Sequence, residues 1–471
     1  MKIPFKPLTG ALAAITVLGT VTALAVAQET AANASPATAS AAAKPKRPAV
    51  AGDFNGDGRR DLVAASPEGN VGDTQQAGFI SVVYGGTKGL DPKKKQIISE
   101  NSAGVPGAAK SGDLFGMAIA SADFDQDGYA DLAATTHGHN GIVIVYGSER
   151  GLSSRTIFLK ARGAGWFASQ ITLGDFDANG VTDLVTPAGS GFVTFRNVRK
   201  RAVAGTTTAV TGAGTYRQIK TAAGDFNGDH RTDLAVFVDA EGPDDDPVAL
   251  WAELRLGTRK GLGAKKVFGK GWAGQDLGLV GDVNGDHKAD LIVQRGSLDD
   301  KGPKGYNVLL GTKTGLGAAK TYNDRWMPRA VGDLNGDGKA DVVGIDRHED
   351  KDGNYKIGTL SVRPGTAKGL SPKSGPSITR QSLGYAIPSR FNGDTFGDGL
   401  KLADFTGDRR ADLLIGFPYD NLSEQASAGR IHLLRGTSSG VSLQGGQRVD
   451  TDQLGITGRE LHEFGEYLLD Y

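Results

Sequence analysis

Carboxylates recur along this chain at spacings that could hold a hard cation. Asp53, Asn55, Asp57 and Asp61 stand at positions 1, 3, 5 and 9 of a loop whose positions 4 and 6 are Gly56 and Gly58. The pattern returns as Asp123, Asp125, Asp127 and Asp131; as Asp175, Asp177, Asn179 and Asp183; and as Asp225, Asn227, Asp229 and Asp233. Three more copies are Asp282, Asn284, Asp286 and Asp290; Asp333, Asn335, Asp337 and Asp341; and Asp404, Thr406, Asp408 and Asp412. Side-chain oxygens from positions 1, 3, 5 and 9 would be joined by a backbone carbonyl at position 7, from Arg59, Tyr129, Val181, Arg231, Lys288, Lys339 and Arg410. Such a set supplies the hard oxygens that Ca²⁺ takes, about six to eight of them. A turn sequence alone would account for one or two copies, but carboxylates crowded seven times into tight loops repel one another unless a cation lies between them. Up to seven structural Ca²⁺ ions are therefore expected. An EF-hand is rejected, because Ala64 stands at position 12 of the first copy and a strand-like run follows. His230 and His287 replace the position-6 glycine, where a positive φ is expected, and the altered Thr406 and Arg409 make the last site the weakest.

Other reactive constellations are thin. The chain has seven histidines and no cysteine, and neither a zinc-protease helix motif nor a phosphate-binding loop. Gly436, Ser438 and Gly440 satisfy the G-x-S-x-G of a nucleophile elbow, yet they align with residues 311–315 and 365–369, an ordinary recurring turn. No catalytic residue and no organic cofactor site is expected, and the chain reads as non-enzymatic. His137 and His139, beside Asn140, could bind a transition metal and read more simply as solvated. Trp166, Trp272 and Trp326 could stack on sugars and read more simply as packing groups. Lys93, Lys94 and Lys95, and Asp244, Asp245 and Asp246, read as loop surfaces.

The elements that must carry these loops follow from the repeat. Loop starts lie 50 to 71 residues apart, a period that means a solenoid, an array or a propeller. A second signature shares the period: a strand-like run closing in Gly-Thr or Gly-Ser, at Gly86, Gly147, Gly257, Gly311, Gly365 and Gly436, absent only from the third unit, which ends at Arg196 and Asn197. Each unit reads as strand, Asp loop, strand, connection, strand, glycine turn, strand, and the 70 glycines and few aromatics suit many tight turns. The expected fold is all-β, a seven-bladed β-propeller with one calcium loop in each blade.

These residues resemble the FG-GAP repeat, the unit of the propeller at the head of integrin α chains and of secreted bacterial relatives, over roughly residues 49–471. Phe115-Gly116 and Phe396-Gly397 stand eight residues before their loops, and units three to six carry an aromatic there instead: Trp166 with Phe167, Tyr216, Trp272 and Trp326. Unit one has no such pair, but Phe464-Gly465 occurs near the other end. The strand around residues 465–469 is thus expected to complete the blade that residues 50–53 begin, pairing the N- and C-terminal strands and closing the ring.

Lys2 and Lys6, the apolar residues 8–26 and the Ala25-Val26-Ala27 site have the layout of a cleaved secretory signal over 1–27. Residues 28–48, rich in Ala, Ser and Pro, read as a disordered linker, and 49–471 as the propeller. Without cysteine, neither a lipid anchor on sulfur nor a disulfide framework is available to an exported chain. Formal charge is zero, and filling the loops with divalent cations would make it strongly basic. The resemblance implies a non-catalytic binding or adhesion module; the alternative is a carbohydrate-active protein, a lectin or a polysaccharide-degrading enzyme. The expected partner is an extracellular protein or glycan, with an anionic cell-wall polymer as a further candidate. Neither nucleic acid nor, after signal cleavage, a membrane span is expected, and the protein reads as a secreted or surface-associated monomer.

Overall fold

The computed structural model describes residues 49–160, 170–210, 216–241, 247–269, 278–295, 305–346, 358–385, 396–397, 399–418, 420, 429–456 and 464–471. The expected leader and linker, together with Trp166, Phe167, Trp272, Asp244, Asp245 and Asp246, lie outside them. Among the described residues no helix is long and apolar enough to cross a membrane.

Among the described residues seven antiparallel blade sheets follow one another along the chain, six of four strands and one of three, with two further two-stranded hairpins at the turns from Gly365 and Gly436. Blade 2 shows the plan: Ile119–Ala122, the Asp loop, Asp131–Thr136, a hairpin, Gly141–Val145, the glycine turn, and Thr156–Lys160. Blades 3, 4, 5 and 7 repeat its strand order from Thr172–Gly174, Tyr216–Gly224, Leu279–Gly281 and Leu400–Ala403, blade 3 with Asn197 in place of the turn glycine. Blade 6 has Trp326–Gly332, Asp341–Asp346 and Thr359–Arg363, and its fourth place is taken by a short run in which Ile378 exchanges backbone bonds with Leu360 at 2.7 and 2.9 Å. Blade 1 has Leu62–Ser66, Phe79–Gly86 and Gly89–Ile98, with Tyr467–Leu468 in the place of its first strand. Lys93, Lys94 and Lys95 lie within this last strand of blade 1, Lys95 paired with Val83, and Lys93 and Lys94 in the bulge between it and Leu90. Charge on an outer strand blunts an edge that would otherwise recruit another chain.

The core is distributed between blades. In the second strand of blade 1, Val63 and Ala65 pack with Leu132, Ala134, Val143 and Val145 of blade 2, whereas Leu62 and Ala64 pack with Leu414, Ile431 and Leu433 of blade 7. Alternate side chains of a strand point to opposite faces, so one apolar run serves two neighbours. That is why Leu62–Ser66, Asp131–Thr136, Gly141–Val145 and Asp412–Phe417 are buried at every residue. Seven apolar clusters fill the seven junctions, including the one from blade 7 back to blade 1. Phe115, Phe396 and Phe464 plug three of them, each followed by a glycine at φ 88°, 89° and 103°. Trp326, 3% exposed, plugs a fourth with its Nε1 donating to Ser361 Oγ at 3.0 Å, which places it in packing.

The expected closure is present. Ala64 pairs with Leu468 and Ala65 with Tyr467, and Leu469 N–H donates to Val63 O at 3.2 Å. The Tyr471 hydroxyl donates to Asp61 O at 2.7 Å and accepts from Val63 N–H at 3.2 Å, while its ring meets Phe405 of blade 7 edge-on at 5.1 Å. Gly52, at φ 80°, is needed here, since a Cβ would lie 2.5 Å from that ring. Tyr471→Phe should therefore cost about 1 kcal/mol, the net worth of a buried hydrogen bond, and deletion of residues 464–471 far more, because it opens the ring. Urea denaturation reads both; a deletion variant with the parent midpoint would show that the closure holds nothing together.

Candidate metal centres

Each Asp loop is wound by its own side chains. The position-1 carboxylate accepts backbone N–H bonds from positions 5 and 6, as Asp53 does from Asp57 at 3.0 Å and Gly58 at 2.9 Å. The same pair recurs at Asp123, Asp175, Asp225, Asp282, Asp333 and Asp404. Asn55, Asn227, Asn284 and Asn335 at position 3 accept from position 5, and position 5 accepts from the N–H of position 7 in all seven copies. This winding needs left-handed backbone at position 6, and His230, His287 and Arg409 adopt it at φ 63°, 65° and 70° as expected.

Position 9 is different. Asp61, Asp131, Asp183, Asp233, Asp290, Asp341 and Asp412 are at most 1% exposed. One oxygen of each accepts from the position-2 N–H of its own loop, at 2.8 to 3.3 Å. The other accepts from the turn after the third strand, at Gly85, Gly147, Asn197, Gly257, Gly311, Gly365 and Gly436, at 2.7 to 3.0 Å. The two periodic signatures of the sequence are therefore the two ends of one hydrogen bond, with Gly85 rather than the expected Gly86 as the donor in the first unit. Glycine is required in that turn by close approach: a Cβ on Gly147 would lie 2.2 Å from Ala130 O and 2.9 Å from Phe54 O of the preceding blade. Asn197 fills the place in the third unit at φ 57°, and its Oδ1 accepts from Asn179.

The loops also join blade to blade. The position-8 N–H donates to the position-1 carbonyl of the preceding loop from Ala130, Thr232, Ala289, Ala340 and Ala411, at 2.7 to 3.0 Å. Position 2 is an apolar plug, with Phe54, Phe124, Phe176, Phe226, Val283, Leu334 and Phe405 at most 1% exposed in the seven junctions. Sequence reasoning passed over this position, although its unbroken apolar character was the available signal.

As cation sites the loops divide. Ligand oxygens of Asp123, Asp125 and Asp127 lie within 4.8 Å of one another, as do those of Asp175, Asp177 and Asp183. Oδ1 of Asp125 and of Asp177 is buried without a donor, and Arg155 and Arg196 pair with the other oxygen of each. Asp131 stays outside its group, held by the backbone. In the other five loops, where Asn or Thr takes position 3, no three carboxylates converge so closely among the described residues. In loops 4 to 7 the position-7 side chains of Arg231, Lys288, Lys339 and Arg410 fold onto the position-5 carboxylates at 3.0, 3.2, 3.6 and 3.3 Å, while in loop 1 Arg59 donates to the Asp57 carbonyl at 3.4 Å. Converging oxygens with unmet acceptor capacity and no nitrogen or sulfur donor fit a hard cation of the calcium class.

The residues that matched the nucleophile elbow form a blade turn. Thr437 Oγ1 donates to Gly440 O at 2.7 Å, as Thr258, Thr312 and Thr366 do to Gly261, Gly315 and Gly369.

Two family models match the chain, an FG-GAP repeat over residues 48–83 and an FG-GAP-like repeat over 123–186. The repeats and the fold are those of an FG-GAP β-propeller. Among curated proteins, integrin alpha-PS5 of Drosophila melanogaster is 36% identical over 151 residues, 30% of this chain and 14% of that one. Phosphatidylinositol-glycan-specific phospholipase D of Rattus norvegicus is 35% identical over 147 residues, 28% of this chain and 17% of that one. The matches span less than a fifth of these relatives. Among solved structures, an Agrocybe aegerita lectin described as recognising non-reducing terminal N-acetylglucosamine superposes with a TM-score of 0.50 at 16% identity, over 87% of this chain and 94% of that one. That likeness is one of fold.

Burial pushes the position-9 carboxyls up, to about 8 at Asp61 and Asp131, about 7 at Asp233 and about 6 at Asp290, Asp341 and Asp412. The backbone donors oppose the shift, and neighbouring loop carboxylates add to it. Folded metal-free protein thus binds protons that the unfolded chain, near 3.8, has released. This stability is full below about pH 4 and is lost as pH rises toward 8. In excess chelator the urea midpoint should be higher at pH 5.5 than at pH 8. A midpoint that rises over that interval would contradict the burial argument.

Proposed function

We propose that this protein is a secreted, calcium-braced propeller that serves as a non-catalytic binding module. The observation that carries the calcium reading is the convergence of Asp123, Asp125 and Asp127, with a buried Asp125 oxygen that no donor meets. Asp123, Asp125 and Asp127 would hold the ion in loop 2, and Asp175, Asp177 and Asp183 in loop 3. The remaining five loops, with fewer converging carboxylates, would bind more weakly. A bound cation offsets carboxylate repulsion in loops that are themselves hydrogen-bonded from blade to blade, so its stabilisation reaches the ring. One site at ten-fold saturation adds about 1.4 kcal/mol, against a domain stability of about 5 to 15 kcal/mol.

The binding role is supported by the partial similarity to an integrin α chain and by the lectin that shares the fold, and it suits an exported chain. The partner would be an extracellular protein or glycan; the basic character of a calcium-filled ring also suits an anionic wall polymer. The alternative, a carbohydrate-active protein, has one feature in its favour: a cavity of about 310 Å³ in blade 6 lined by Asp324, Arg325, Asp346 and Arg363. Binding to arrays of glycans and wall polymers, with and without Ca²⁺, separates binding from turnover if the arrays are also assayed for cleavage.

Chelation should lower the melting temperature by many degrees and open the chain to protease; an unchanged melting curve would sink the calcium reading. Within it the sites rank. Asp127→Ala in loop 2 should lower Ca²⁺ stoichiometry and thermal stability more than Asp408→Ala in loop 7, as metal counting on the two variants will read, and equal losses would refute the order.

A further inference from the structure

A third convergence of ligand atoms lies away from the Asp loops. Glu100 follows the strand Gly89–Ile98 of blade 1, Asp113 stands two residues before Phe115, and His139 is in the hairpin between Asp131–Thr136 and Gly141–Val145 of blade 2. That hairpin is at the opposite end of the strand from Asp131, roughly 17 Å away for six residues of strand. One ligand atom from each of Glu100, Asp113 and His139 lies within 4.8 Å of the others.

The site is built rather than incidental. Glu100 is 1% exposed and Asp113 4%, and the connection that carries them is clamped onto the hairpin by His137 N–H donating to Asp113 O at 3.0 Å. Glu100 Oε1 accepts from Thr136 Oγ1 at 2.6 Å and Asp113 Oδ2 from Lys110 N–H at 2.8 Å, so the orientation of both carboxylates is set from outside the cluster. Two glycines make room for it. A Cβ on Gly138 would lie 1.7 Å from Asp113 Oδ1, and one on Gly107 2.7 Å from His139 Nε2.

What faces inward lacks partners. Glu100 Oε2 and His139 Nε2 are buried with no hydrogen bond, and Nε2 stands 3.6 Å from Glu100 Oε1, beyond bonding reach. Two carboxylates turned toward each other are both acceptors, so a proton or a cation must lie between them. A shared proton would serve Glu100 and Asp113 and leave the imidazole nitrogen unmet. A cation serves all three.

We propose that Glu100, Asp113 and His139 form a transition-metal site of the zinc class, chemically distinct from the all-oxygen loops. An imidazole nitrogen with two carboxylate oxygens suits Zn²⁺ or Co²⁺ with a fourth position left to water, whereas Ca²⁺ takes oxygens alone. The ion would tie the outer end of blade 1 to the hairpin of blade 2.

Full-length protein held in excess Ca²⁺ is titrated with Co²⁺, whose visible absorption reports a nitrogen- and oxygen-ligated site, and then with Zn²⁺. The expected result is one equivalent of Co²⁺ displaced by one of Zn²⁺. His139→Ala, a change at a partly exposed side chain, should weaken binding by at least about ten-fold, as should Glu100→Gln, while His137→Ala leaves it unchanged. Far-ultraviolet circular dichroism in Ca²⁺ checks that each variant is folded, and His139→Ala decides the matter should Glu100→Gln fail to fold. The proposal is overturned if the parent protein gives no Co²⁺ band, as a shared proton requires, or if the band survives His139→Ala.

Discussion

Each blade depends on a buried aspartate with both oxygens committed to backbone N–H groups. At Asp61 and its six counterparts one bond fixes the start of the Asp loop and the other fixes the turn after the third strand. A carboxylate is needed because two donors meet there inside the protein, and an unmet buried N–H costs about 1 to 3 kcal/mol. The turn follows from this, since its N–H must reach the carboxylate, which glycine allows by close approach in six units and Asn197 achieves with left-handed backbone in the third. So does the apolar plug at position 2, whose N–H bond to the same carboxylate aims its side chain into the next junction.

The candidate metal sites stand on this scaffold, which is wound without them. Side-chain acceptors at positions 1, 3 and 5 already wind the loop through backbone bonds, which leaves remaining oxygen capacity turned toward a common point. Where position 3 is aspartate, in loops 2 and 3, that point gathers three carboxylates and an arginine draws close to compensate. In loops 4 to 7, where it is asparagine or threonine, the position-7 cation folds onto the position-5 carboxylate instead. Two electrostatic designs thus share one backbone, and they differ at position 3 and at position 7, where loops 2 and 3 carry Tyr129 and Val181 in place of Arg or Lys.

Much of this was legible in the sequence. Seven loops, their strand order, the left-handed backbone at His230 and His287, and closure through Phe464-Gly465 all follow from residue type and period, because a repeat states the same local rule seven times. The position-9 aspartates were read as ligands alone: their second role depends on a turn 14 to 24 residues away, a distance that only the pairing of strands brings together. Lys93, Lys94 and Lys95 looked like loop because charge outweighed strand propensity, which an outer strand tolerates. Trp166 and Trp272 fall outside the described residues, so only Trp326 shows where that aromatic position leads.

Glu100 and Asp113 were invisible, and His139 was paired with His137 rather than with them, for a deeper reason. They come from connections that do not repeat, one between blades and one within a blade, and no period relates them. The same asymmetry bears on recognition. A loop copied seven times can brace a ring, but it offers a ligand seven near-equivalent places and distinguishes none of them. Selectivity for one partner has to come from the unequal connections at the other end of the strands, where chains of different length meet across a junction. The repeated end and the unrepeated end thus carry different burdens: the first keeps its position-9 aspartate and an apolar plug in every copy, and the second is free to vary so long as the strands beneath it stay paired.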